Sequence, residues 1–414
     1  MALIVVIAVM NGFQSTSINS LLEISSYHVK CEFLSSEVLP SEVLPNEVLP
    51  TEFSESSANK YFENLVSSMN ETQCVLPMME SQALLVGSKG KQNAAIIRGV
   101  VPDIALVDSG FAQQAKIVSG SFDLTEPKTV VLGSTLSKRL GVRVGEPVSV
   151  LLLSGDADTE LFADDRELKV TGIFECPYLD INAGFAFTSL ETARSLLGEG
   201  GKIFYGVKLK DKNKDAIFMQ KLMSNIDDSF IDLKLESWRV MNKSFFGALR
   251  IEKNVLFLLV LLIFLVVGIN IYNGMRRMVF ERKEDICVLY ALGASKKQVQ
   301  FAFILQGLYV AFLGCLFGLV IGLLISSNMH YVFIFLSQVI YAFQYFFTMI
   351  FSPQNAHLVS ENYIFLYYAD IPAVIGFWET FYIVIFGILA SLVSSYFASR
   401  KLLKFQVSEV LRDE

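Results

Sequence analysis

Three long apolar runs limit what this chain can fold into. Val255 to Tyr272 and Phe301 to Ser327 carry no charged residue, and Ala373 to Phe397 carries one, Glu379. A helix needs about 20 mostly apolar residues to cover roughly 30 Å of hydrocarbon, so each run predicts a membrane-spanning helix. Arg276, Arg277, Arg282, Lys283, Lys296 and Lys297 lie between the first two runs, and Arg400, Lys401 and Lys404 follow the third. Lys and Arg in short loops mark the cytoplasmic side. The loop 281–300 and the tail 399–414 are therefore expected in the cytoplasm, with 14–250 and the connection 328–372 on the other side.

Two further segments bear on the span count. Met1 to Phe13 is apolar but covers only about 20 Å as a helix. The first basic residue is Lys30, so the basic n-region of a signal peptide is missing, as is its small-residue cleavage site. The segment reads as the outer half of a transmembrane helix whose cytoplasmic half is absent, with a signal peptide as the alternative. Tyr331 to Ser352 is uncharged, and nine of its residues are aromatic. A full crossing there would place Arg400, Lys401 and Lys404 outside. Aromatic enrichment suits the membrane interface, so an interfacial helix or hairpin is expected, with an extra span as the alternative.

Charge separates the chain into two parts. Residues 14–250 hold 23 Lys/Arg and 31 Asp/Glu, and residues 251–414 hold 11 and 10. The first part has the charge content of a soluble domain, and its acidic balance disfavours a nucleic-acid partner. Residues 36–50 are three pentads, Ser-Glu-Val-Leu-Pro twice and Asn-Glu-Val-Leu-Pro once. A proline every five residues blocks a helix, so an extended insertion is expected. Ala58–Met69, Glu191–Leu197 and Ala216–Ser224 read as helices. Ala94–Val101, Thr129–Leu132, Pro147–Leu153, Leu168–Phe174 and Phe204–Leu209 read as strands. The result is an α+β domain.

Catalytic chemistry is thin. His28, Cys31, Cys74 and Cys176 lack zinc-ligand spacing, and no Cys-x-x-Cys occurs. A Cys31–Cys74 disulfide and separate buried thiols both remain open. The acid pairs Asp164-Asp165 and Asp227-Asp228 read as solvated loops, and Gly87-Ser88-Lys89-Gly90-Lys91 lacks P-loop spacing. The cytoplasmic loop is more informative. Glu281 to Leu292 reads as a short helix ended by Gly293, and Ser295 with Gln298 predicts a capping box opening the next helix. Ile286, Leu289 and Tyr290 give the short helix an apolar side suited to a partner or to lipid headgroups. Gly314, Gly318 and Gly322 form a smooth stripe permitting close helix packing, and Asn270 and Asn273 are placed to cap or cross-link helices.

Several stretches resemble a known family. They are Met10-Asn11-Gly12-Phe13, Val131–Ser134 leading to Leu140–Gly145, Phe245 to Asn254, Glu284 to Leu289 with Gly293-Ala294-Ser295, and Val407 to Arg412. Together they resemble the lipoprotein-releasing permeases of the LolC/LolE type, within the wider MacB/FtsX-like class of ABC transporter permeases. The resemblance implies an α-helical polytopic membrane protein with four transmembrane helices, the first of which reads as truncated here, and a MacB-like periplasmic core. The expected segments are a partial first helix 1–13, an outer domain with stalk helices 14–250, spans 254–280, 301–327 and 373–398, and the coupling segment 281–300.

It further implies a permease in the inner membrane that extracts acylated lipoproteins and passes them to a periplasmic carrier. No cofactor is expected on this chain, because ATP and Mg would sit on a separate ATPase. A second permease subunit would complete the complex, among membrane lipids. Glu284, Asp285, Ile286, Leu289, Gly293 and Ala294 would couple to the ATPase. Met10, Phe13, Phe246, Leu249 and Phe257 would wall a cavity for acyl chains. A carrier hook would fall at Ser154–Leu168, which is acidic and proline-free here. A MacB-like efflux permease and an FtsX-like mechanotransmitter acting on an extracytoplasmic hydrolase are the alternatives.

Overall fold

A computed structural model describes residues 1–33, 55–152, 166–197, 203–226, 233–351, 369 and 371–400. The pentads 36–50, the paired acids at 164–165 and 227–228, almost all of the 154–168 loop and the tail beyond Arg400 lie outside them. The chain divides into two compact units, Met1–Ser15 with Gly247–Glu414, and Thr16–Phe246.

In chain order the elements begin with helix α1 (Ala2–Ser20), which continues as a π-helical turn, Leu21–Ser26, into β1 (Val29–Phe33). Then come α2 (Glu55–Ser68), β2 (Thr72–Gly87), β3 (Gln92–Val100), α3 (Ile104–Val107), α4 (Ser109–Gln114), β4 (Lys116–Gly120), β5 (Thr129–Gly133) and α5 (Ser134–Leu140). The second unit continues with β6 (Pro147–Leu152), β7 (Glu167–Glu175), α6 (Leu179–Gly184), β8 (Phe185–Ser189), α7 (Leu190–Leu197) and β9 (Ile203–Leu209). It ends with α8 (Asp215–Asn225), β10 (Leu233–Ser237) and α9 (Trp238–Met241). Four long helices and one short one follow: α10 (Lys243–Glu281), α11 (Lys283–Ala291), α12 (Lys296–Ser327), α13 (Met329–Phe351) and α14 (Phe377–Ser399).

The second unit is built on one sheet, in the order β10-β1-β9-β2-β3-β8-β5-β7-β4, with β6 pairing β2 and β7. β5 and β8 are buried at every residue, as interior strands of Val, Leu and Phe should be, whereas the terminal strand β4 is exposed throughout. β1, which follows the first helix, pairs antiparallel with β10, which leads through α9 into α10; Val29 faces Ser237 in that register. Sequence patterning missed β1, β2, β4, β8 and β10. β2 in particular carries Pro77, Glu80 and Gln82 among its apolar residues, which breaks the alternation that marks a half-buried strand.

A buried ionic cluster fixes the end of the first helix to this sheet. Lys208 of β9, 1% exposed at its side chain, puts its Nζ 2.6 Å from Glu23 Oε2 and 2.5 Å from Asp108 Oδ2. It also donates to the Glu23 carbonyl at 3.0 Å. Arg98 of β3 donates to the Ile24 carbonyl at 2.8 Å and pairs with Glu80 at 2.6 Å. Helix ends leave carbonyls without intrahelical partners, and two buried cations satisfy a pair of them here. Asp108 serves as N-cap of α4, its Oδ1 accepting from the Gly110 and Phe111 amides at 3.1 Å. Burial, followed by the charge of Asp108, pushes the Tyr27 hydroxyl well above its ordinary pKa.

The cysteine question resolves to separate thiols. Cys31 and Cys74 lie on β1 and β2, which are separated by β9, and all five cysteines are free. Two strand spacings amount to about 10 Å, beyond the reach of a disulfide. Burial pushes the Cys74 thiol up to about 12.

Among the described residues, five helical stretches are apolar and long enough to cross a membrane by length and composition: Ala2–Ser26, α10, α12, α13 and α14. The first helix runs past Phe13 to Ser20, seven residues beyond the expected apolar segment. α10 starts 11 residues before the expected span 254–280.

Candidate functional site

The 281–300 segment, expected to couple to an ATPase, is built from two helix breaks. Met275 and Val279 at the end of α10 turn inward, while Arg277 pairs with Glu281 at 2.7 Å. Arg282 leaves helical geometry, with φ −103°, and α11 begins. Glu284 and Asp285 occupy its first turn, where carboxylates interact favourably with the helix dipole, and both are exposed. At the other end the Gly293 amide donates to Tyr290 O and the Ala294 amide to Leu289 O. That pattern is a Schellman closure; Gly293, at φ +94°, takes the conformation that side-chain-bearing residues avoid. Ser295 then caps α12. Its Oγ accepts from the Gln298 amide while its own amide donates to Gln298 Oε1 at 2.9 Å, the capping box expected from the sequence.

This geometry sorts the candidate coupling residues into two faces. Ile286, 3% exposed, packs against Met275, Val279, Val299, Phe303 and Ala398, with Tyr290 and Ala294 alongside. Leu289 points the other way with Val288 and Leu292, the last 80% exposed. The expected apolar side of Ile286, Leu289 and Tyr290 is thus not one surface. Ile286 and Tyr290 anchor α11 to the bundle, and the exposed strip is Val288, Leu289 and Leu292 beside Glu284 and Asp285. Val288 and Leu292 were missed, although their spacing of four places them on one helix face.

The same cluster joins the end of α10, the start of α12 and the end of α14 through Ala398. α12 and α14 then pack along their length. The Ser391 hydroxyl donates to Gly307 O at 3.1 Å, and a Cβ on Gly307 would stand 2.1 Å from Ser395 Oγ. Gly307 is therefore the close-approach glycine between these helices, outside the stripe seen in the sequence. Within that stripe, a Cβ on Gly322 would stand 3.3 Å from Ile4 and 3.4 Å from Met1, and one on Gly318 3.4 Å from Met1, at the start of the chain, whereas one on Gly314 would meet nothing within 4 Å. Further along, the first helix meets the approach to α14: a Cβ on Gly12 would stand 2.1 Å from the Pro372 carbonyl oxygen, and the Val374 amide donates to Ala8 O at 2.9 Å.

The cavity candidates divide between the units. Met10, Phe13 and Leu249 are half-buried and Phe257 is 62% exposed, all in the first unit. Phe246 belongs to the second unit, its ring 5.2 Å from Trp238 and 5.5 Å from Phe245. Phe245 in turn meets Tyr178 at 5.8 Å. Trp238 is held by its indole N–H donating to Lys212 O at 3.0 Å, and Asp215 pairs with Ser237 and Arg239 on the same connection. Among the described residues no group of three or more His, Cys, Asp or Glu could hold a metal ion.

Comparison with known proteins agrees with these two parts. Residues 1–224 match the MacB-like periplasmic core domain, and residues 257–407 match the FtsX-like permease C-terminal region. The chain is similar to the lipoprotein-releasing system transmembrane protein LolC of Neisseria meningitidis, 25% identical over all of this chain and 91% of that one. LolC of Haemophilus influenzae is 26% identical over all of this chain and 90% of its own length. LolE of Haemophilus influenzae is 26% identical over 48% of each. The chain belongs to the MacB-like periplasmic core domain family, and with its FtsX-like C-terminal region it is a permease of the LolC/LolE type.

Proposed function

We propose that this permease extracts acylated lipoproteins from the inner membrane and delivers them outward, driven by ATP hydrolysis on a separate ABC ATPase. The observation that carries the reading is similarity along the whole chain to LolC proteins of two organisms. In this reading the 14–250 domain is extracytoplasmic and the 281–300 segment cytoplasmic. ATP and Mg are held by the ATPase, a second permease subunit completes the membrane part, and a periplasmic carrier receives the cargo.

The exposed strip of Val288, Leu289 and Leu292, flanked by Glu284 and Asp285, suits docking on that ATPase. Apolar side chains at 46–80% exposure beside two carboxylates gain by being covered in the cytosol. Ile286 on the inner face would transmit the docked helix's movement to α10, α12 and α14. Met10, Phe13, Leu249 and Phe257 would supply the apolar wall that acyl chains require.

Four spans are favoured over five. α14 brings Ala398 to the cluster containing the start of α12, so the two helices run antiparallel and their far ends lie on one side. The connection between Ser327 and Phe377 then crosses an even number of times. The uncharged aromatic helix α13 would lie in the interface rather than cross. Depletion of this chain followed by membrane fractionation tests the function. Acylated lipoproteins should accumulate in the inner membrane, and normal outer-membrane delivery would sink the reading.

A further inference from the structure

We propose that the groove between α10 and α14 binds one anionic phospholipid of the cytoplasmic leaflet, with its phosphate on Arg276 and Arg400. The groove has a volume of about 560 Å³ and is lined by Leu265, Ile269, Tyr272, Val393 and Phe397 over a floor of Gly268 and Ser394. The floor is where the helices come closest, since a Cβ on Gly268 would stand 3.2 Å from Ser394 Oγ. The walls are uncovered: Leu265, Ile269, Val393 and Phe397 are each 51–58% exposed.

Helix periodicity carries both walls to a basic mouth. On α10, Leu265, Ile269, Tyr272 and Arg276 recur at spacings of four, three and four, which keeps them on one face. On α14, Val393 and Phe397 are followed by Arg400 at spacings of four and three. Arg276 lies about 6 Å along the axis beyond Tyr272, and Arg400 about 4.5 Å beyond Phe397. Both arginines are exposed, and neither has an ion pair among the described residues. The neighbouring Arg277 is instead held by Glu281 at 2.7 Å. Two guanidinium groups at the polar end of an apolar slot match a phosphodiester above an acyl chain, because the planar fork binds phosphate oxygens bidentately.

With the basic loop cytoplasmic, as the proposed function has it, the phosphate lies in the inner leaflet's headgroup layer. The lipid anchor of an acylated lipoprotein carries no phosphate and gives these arginines no partner. A second copy of the chain would cover the apolar walls but leave two cations to desolvate, which is costly.

The test uses the full chain with its partner subunits, purified in mild detergent, and native mass spectrometry with phosphatidylglycerol and phosphatidylcholine as probes. The wild type should retain phosphatidylglycerol preferentially, and R276Q/R400Q should lose about 30-fold in affinity for it, from two surface arginines acting on an anionic headgroup. R277Q should bind as the wild type does. Gly268→Leu, which raises the groove floor, should weaken both lipids. An unchanged preference in R276Q/R400Q would overturn the proposal, as would equal retention of the two lipids. Full displacement by millimolar inorganic phosphate would overturn it too, by identifying a free-anion site. Efficient disulfide cross-linking between copies at Ile269→Cys in native membranes would assign the groove to a protein interface instead. Labelling of Ser295→Cys in inside-out vesicles only supports the orientation; labelling from the opposite side would refute the orientation on its own, separately from the lipid result.

Discussion

Replacing Lys208 by methionine should strongly destabilise the outer domain while leaving its shape almost unchanged. Lys208 is 1% exposed at its side chain and reaches Glu23 and Asp108 at 2.6 and 2.5 Å, and the Asp108 side chain is 0% exposed. Methionine keeps most of the apolar stem volume, so little packing is lost. What remains is a buried carboxylate without its cation and a Glu23 carbonyl without its donor. Removing one partner of a buried pair costs about 3–5 kcal/mol. In a unit of this size each kcal/mol shifts the melting temperature by about 2–4 °C, so K208M should melt roughly 6–20 °C below the wild type. The chain has two tryptophans. In a Trp378→Phe background the remaining Trp238, 7% exposed, reports unfolding of the outer domain by fluorescence. Lys221→Met, which removes the half-exposed pair with Glu71, should shift the melt by only about 1–2 °C, because exposed pairs contribute little. Adding Asp108→Asn to K208M should recover part of the loss, since the stranded charge is then gone. A K208M shift under about 2 °C, or a double variant no more stable than the two singles added together, would refute the reasoning.

Glu80 and Asp215 give an acid limit. Burial raises the carboxyl pKa of Glu80, but the charges and hydrogen bonds of Arg98 and Lys30 outweigh it and hold the group below its ordinary value. Asp215 is likewise held down, against burial, by Arg239 and Ser237. A depressed folded pKa contributes stability above the unfolded value and loses it as pH falls through the folded one. Outer-domain stability should therefore fall below about pH 4, with a shallower fall in Glu80→Gln followed by Trp238 fluorescence. At the coupling segment, E284K/D285K and L289E/L292E should each reduce co-purification of the ATPase about tenfold or more, and intact assembly would refute docking. Gly307→Leu should collapse the yield of folded protein in detergent because Ser395 leaves no room, whereas Gly314→Leu should be tolerated. Equal loss in both would refute the α12–α14 packing.

The long helices were legible because membrane spans leave a signal that needs no tertiary context: length without charge. The capping box at Ser295 and the glycine closing α11 were legible for a similar reason, since both act within one turn of chain. Strands fared worse. β8 is only five residues, all buried, so it shows no alternation, and β10 alternates Leu233, Lys234, Leu235 and Glu236 over a run too short to stand out. Side-chain direction was the hardest. Ile286 and Leu289 look alike in sequence, and only the packing of α11 on Met275 and Phe303 decides which is turned inward. The glycine stripe was read from spacing alone, yet the closest approach falls at Gly307, which pairs with serines 84 and more residues away. The Lys208 cluster draws on π-turn, strand and loop residues up to 185 positions apart, so no local pattern foretells it.

The central claim is that this permease couples ATP hydrolysis to lipoprotein release. Its most direct measurement reconstitutes the chain with its ATPase and second permease in vesicles loaded with a radiolabelled acylated lipoprotein. Soluble lipoprotein bound to added carrier is then followed after ATP addition. Release should require ATP and should stop with E284K/D285K while the lipoprotein stays bound to the membrane. ATP hydrolysis by the intact complex with no lipoprotein released would contradict the account.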